Sequence, residues 1–103
     1  MIAINAEYKR HIDELADETF PCGTQIWAYG SRVKRTSHDA SDLDLVVKTD
    51  KKSLESIGNL VSFKELLQNS NIPILIQVLD WHFIPETFKQ NILQDYEVLH
   101  TVC

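Results

Sequence analysis

Two carboxylates one residue apart, Asp42 and Asp44, follow the pair Gly30-Ser31 after an interval of ten residues. Side chains two apart on an extended segment share a face, so Asp42 and Asp44 can close on one divalent cation. A glycine-serine turn offers backbone N–H groups and a hydroxyl to the phosphates of a nucleotide carried by that cation. Arg32, Lys34 and Arg35 follow at once and add positive charge at the same place. Taken alone, the aspartates read equally well as a solvent-facing strand end, and the basic run as a solvated turn. Joined at this spacing, they point to phosphoryl-transfer chemistry.

Such a site needs strands to carry it, and apolar runs flank it on both sides. Gln25 to Tyr29 is expected as a strand leading into the glycine, and Asp42 to Lys48 as the strand that carries the aspartates. The polar, basic segment between them, residues 31–41, fits one helical turn and a loop. Before them, Tyr8, Ile12, Leu15, Ala16 and Thr19 recur at helical spacing and predict an amphipathic helix over about 5–20, broken by Pro21-Cys22-Gly23. After them, Asp50-Lys51-Lys52 marks a turn. Leu54, Ile57, Leu60, Val61, Phe63 and Leu67 then give a helical stripe, interrupted by Gly58 and firmer from Asn59. Residues 72–79 read as a strand, near an edge at Pro73. Pro85-Glu86 starts a helix with Phe88, Ile92, Leu93 and Tyr96 on its buried side, and Val98 to Val102 reads as a short apolar tail. The order predicts an α/β (α+β) class, a small mixed sheet with helices packed on it.

Composition narrows the setting. The 103 residues, 44% hydrophobic, support a single domain over 1–103. No apolar run approaches a membrane span and the N-terminus has no leader pattern, so a soluble, cytoplasmic protein without membrane association is expected. A net charge of −5 argues against autonomous nucleic-acid binding. Cys22 and Cys103 lack metal-ligand spacing and are expected as reduced thiols. His11, His38, His82 and His100 form no ligand pair and are expected at the surface, with His38 in reach of phosphate. Trp27 and Trp81 are expected in the core or at a subunit contact.

The run Trp27-Ala28-Tyr29-Gly30-Ser31-Arg32, with Ser41-Asp42-Leu43-Asp44-Leu45-Val46-Val47, resembles the minimal nucleotidyltransferases of the DNA polymerase beta-like superfamily, whose signature is Gly-Ser, ten residues and Asp-x-Asp. The resemblance continues through Val78-Leu79-Asp80-Trp81 and the final helix, and so covers most of the chain. It implies the polymerase beta-like nucleotidyltransferase fold. Gly30 and Ser31 would lie against the β- and γ-phosphates of ATP or another nucleoside triphosphate, with Arg32 adding charge. Asp42 and Asp44 would be the catalytic ligands of Mg²⁺. The implied chemistry is in-line attack of an acceptor hydroxyl on the α-phosphorus, with pyrophosphate leaving.

Two positions depart from the family pattern. Arg35 stands where a glycine is common, and Gln77 stands where a third aspartate is usual. Glutamine is neutral, a poor ligand for Mg²⁺ and no general base. Asp80, three residues on, falls on the opposite face of a strand and does not replace it. Minimal nucleotidyltransferases of this type are often paired with a small helical HEPN protein. The resemblance therefore implies a protein adenylyltransferase, the antitoxin of a HEPN/MNT toxin-antitoxin pair, acting within a homo- or hetero-oligomer. The alternative from another class is a catalytically weak or inactive nucleotide-binding module that neutralises its partner by stoichiometric binding. Transfer of nucleotides to RNA or to a small molecule is a weaker third reading.

Overall fold

The computed structural model describes residues 4–30, 42–49 and 54–103. The elements run α1 (Ala6–Thr19), β1 (Gln25–Tyr29), β2 (Leu43–Lys48), α2 (Leu54–Gln68), β3 (Ile76–Asp80), a 3₁₀ turn (Trp81–Phe83), α3 (Glu86–Gln94) and β4 (Tyr96–Thr101). Asn5 opens α1 by accepting the Glu7 N–H on its side-chain oxygen, at 2.8 Å, which satisfies one of the first-turn donors. The helix turns Ile12 and Ala16 inward, both fully buried. Gly58 does not break α2, which runs through it with open space where a side chain would be.

The four strands form one sheet in the order β3-β2-β1-β4. β1 pairs antiparallel with β2 and with β4, while β2 and β3 are parallel. A parallel pair needs a crossover, and α2 supplies it. Alternation along the strands divides the sheet into two apolar faces. Ile26, Ala28, Leu43, Leu45, Val47 and Val78 join Ile12, Ala16, Phe20, Phe63 and Leu67 in the main core under α1 and α2. Trp27 and Val46 meet Ile92 of α3 on the other face, with Tyr29, Leu79, Trp81 and Phe88 around them.

Three expectations are corrected here. The tail is not a tail: residues 96–101 form β4 and pair along the whole of β1. Tyr96 therefore belongs to that strand and not to the last helix, which ends at Gln94, and Leu93 is 44% exposed. Cys22 and Cys103, expected as separate reduced thiols, are disulfide-bonded with Cα atoms 5.0 Å apart. The pairing of β1 with β4 causes this, since Gly23 N–H donates to Val102 O and Val102 N–H to Thr24 O at 3.0 and 2.8 Å. The third strand begins at Ile76, four residues later than expected, beyond Pro73. The turn at 50–52 and the segment 31–41, with Ser31, Arg32, Lys34, Arg35 and His38, lie outside the described residues.

Candidate active site

Leu43, fully buried, sends its side chain into the main core, which turns its neighbours Asp42 and Asp44 together to the opposite face. Asp44 is half-buried and Asp42 exposed. Burial first, and then the charge of Asp42, raise the Asp44 carboxyl above its ordinary value. A cation between the two would relieve both costs, and that is the chemistry of a donor pair suited to a hard divalent ion.

Gly30 closes the approach from β1. Its φ of +82° is a left-handed conformation, and a Cβ there would stand 2.5 Å from Asp44 Oδ2. The backbone conformation favours glycine, and a side chain there would turn the Asp44 carboxylate out of its place. The residues present thus fit a divalent cation held by Asp42 and Asp44, with bare backbone beside it. Ser31 and Arg32, expected as nucleotide contacts with Gly30, fall outside the described residues.

The parallel register sets Gln77 opposite Asp44, and its Nε2 donates to Asp42 Oδ2 at 3.3 Å. An amide, and not a carboxylate, therefore lies beside the pair on β3. Asp80 is committed elsewhere: it is 5% exposed and accepts the His82 N–H at 2.8 Å, capping the 3₁₀ turn. Among the described residues, no group of three or more His, Cys, Asp or Glu side chains could hold a metal ion.

Tyr29, which by sequence fits an apolar face and needs no special role, is the register partner of Asp44 on β1. Its phenol is pushed up to about 12, by burial first and then by the Asp44 charge, so it stays protonated beside the carboxylates. Its place immediately before Gly30 is the signal that could have marked it. Trp27, at 6% exposure, is a core residue as expected. His82 and His100, expected at the surface, are only partly exposed and engaged, His82 Nε2 with Thr49 O at 2.9 Å and His100 Nε2 with Asp17 Oδ1 at 2.7 Å.

The sequence family described as polymerase beta, nucleotidyltransferase, matches residues 12–101. The probable protein adenylyltransferase MntA of Haemophilus influenzae is 34% identical over 76 residues, which are 72% of this chain and 63% of that protein. The chain thus spans less than two thirds of this relative's length. Among solved structures, a toxin-antitoxin crystal structure with AMP-PNP superposes with a TM-score of 0.64 at 17% identity, over 91% of this chain and 73% of that one. A structure of the tri-AMPylated Shewanella oneidensis HEPN toxin in complex with MNT antitoxin gives a TM-score of 0.58 at 14% identity, over 91% and 70%. At such identities the two structures speak for the fold.

Proposed function

The chain belongs to the polymerase beta nucleotidyltransferase family, and from that membership we propose that it is a protein adenylyltransferase, the antitoxin of a toxin-antitoxin pair, which moves AMP from ATP to a helical HEPN-type partner. The name of the Haemophilus relative supports the activity, and the solved complex with a HEPN toxin supports the kind of partner. The observation that carries the reading is the placement of Asp42 and Asp44 on one face beside Gly30, whose missing side chain leaves space against Asp44 Oδ2. We place the protein in the cytoplasm, with its toxin; among the described residues no helix is long and apolar enough to cross a membrane.

In the reaction, the acceptor hydroxyl oxygen bonds to the α-phosphorus of ATP while the bond to the bridging oxygen breaks, pyrophosphate leaves and the hydroxyl proton passes to solvent. Asp42 and Asp44 would hold Mg²⁺. That ion, when bound, supplies positive charge against the phosphate oxygens. Gly30 admits the phosphates close to the backbone, and Ser31 and Arg32 are proposed to add a hydroxyl and a guanidinium to them. Gln77 steadies Asp42 through its amide. Tyr29 presents a protonated phenol next to Asp44.

The test is to incubate the chain with the HEPN-type protein of the neighbouring gene, labelled ATP and Mg²⁺. Label on the partner, lost in the Asp42→Ala, Asp44→Ala double variant, is expected. A partner that stays unlabelled with the unaltered chain overturns the transferase reading. The amide at Gln77 favours a second reading, in which the chain binds nucleotide weakly or idly and neutralises its partner by contact alone. Under that reading the double variant protects against the toxin as well as the unaltered chain does.

A further inference from the structure

The register joins four side chains into a row across the whole sheet, Gln77 on β3, Asp44 on β2, Tyr29 on β1 and Tyr96 on β4. All four stand on the face that carries α3, because each is the direct cross-strand partner of the next. From the carboxylate of Asp44 the row runs through Tyr29 to an aromatic ring at the sheet's edge. Tyr96 is 38% exposed. Its inner surface is stacked on Trp27, with ring centroids 4.3 Å apart and planes inclined by 21°.

Trp27 is a rigid support for that ring. Its indole N–H donates to Gln25 Oε1 at 2.7 Å, and the edge contact with Trp81 holds it from another direction at 5.2 Å. A ring ordered in this way loses little freedom when a second flat group lies against it. The Cα of Tyr96 is two strand spacings from that of Asp44, about 9.5 Å, a span that the ribose of a nucleoside triphosphate bridges between its phosphates and its base.

We propose that Tyr96 is the stacking platform for the nucleobase of the nucleotide whose phosphates lie at Gly30 and the Asp42 and Asp44 pair. The inference rests on the reading of that pair as the cation and phosphate site, and it adds where the base goes. Aromatic stacking is the recognition open to such a surface, since every base offers a π face.

Calorimetric titration of the full chain with ATP and with inorganic tripolyphosphate, each with Mg²⁺, separates the base from the phosphates. Tyr96→Leu, which keeps an apolar cover on Trp27, is expected to weaken ATP by roughly 5- to 150-fold and leave tripolyphosphate unchanged. Tyr96→Phe is expected to retain the affinity of the unaltered chain. Unchanged ATP binding in Tyr96→Leu, or a parallel loss of both ligands, overturns the platform. A chain that holds neither ligand overturns the phosphate site itself. Nuclear magnetic resonance of the unaltered chain gives a check free of substitution: adenine protons in contact with the Tyr96 ring support the assignment, and their absence defeats it.

Discussion

Asp44 lies between Asp42, whose charge adds to burial in raising the Asp44 carboxyl, and a phenol on the next strand, whose ionisation the Asp44 charge opposes in turn. Tyr29 carries the clearest mark of this, with its pKa pushed up to about 12 by burial and then by Asp44. A phenol raised from about 10 holds its proton more tightly in the folded chain than in the unfolded one. Its contribution to stability is therefore full below pH about 10 and is lost as pH rises through about 12. Ultraviolet titration of the phenolate band is expected to show a late step near pH 12 that Tyr29→Phe removes. Asp44→Asn moves that step downward but leaves it above the ordinary range, because burial is the larger cause. A late step that survives Tyr29→Phe would assign it to another tyrosine.

Among the elements, α2 shows most clearly how burial and not composition decides energetic weight. Phe63 is fully buried, edge-on to Phe20 at 5.1 Å, whereas Val61, two residues earlier, is 51% exposed. Phe63→Ala is expected to cost about 3–5 kcal/mol, and Val61→Ala to stay within about 0.5 kcal/mol, as read by urea denaturation. The period of Ile12 and Ala16 made α1 legible, and the alternation around Leu43 made the shared face of Asp42 and Asp44 legible. Both are local patterns. β4 was not legible, because Phe88, Ile92 and Tyr96 keep helical spacing past the point where the helix stops. The actual stop is at Asp95, whose N–H returns to Ile92 O at 3.1 Å and whose φ of −149° is non-helical. Likewise, Gln77 could be aligned with the aspartates from the letters around it, but the row through Tyr29 to Tyr96 depends on strand order. Strand order is a property of distant pairings, and no short window of sequence contains it.

For the whole molecule, the bond from Cys22 to Cys103 links positions 81 residues apart at the end of the sheet where β1 begins and β4 finishes. Closing so long a segment restricts the unfolded chain far more than the folded one. Reduction, or Cys22→Ser, is expected to lower the unfolding free energy by about 2–4 kcal/mol, measured in denaturant with and without dithiothreitol. The backbone bonds of Gly23 and Val102 join the same two chain segments, and in a reducing compartment they would hold that corner in place of the disulfide. The same corner gives meaning to the irregularity between β1 and β4, where Ile26 faces His100 but Trp27 faces Val98. Leu99 is one residue more than the ladder requires. The extra residue is not slack, because its side chain is 4% exposed and packed in the main core. Deleting it would straighten the ladder but leave a hole in that core, a loss of about 2–5 kcal/mol. The irregularity thus lets β4 turn Leu99 inward while Tyr96 still meets Tyr29 and Cys103 still meets Cys22.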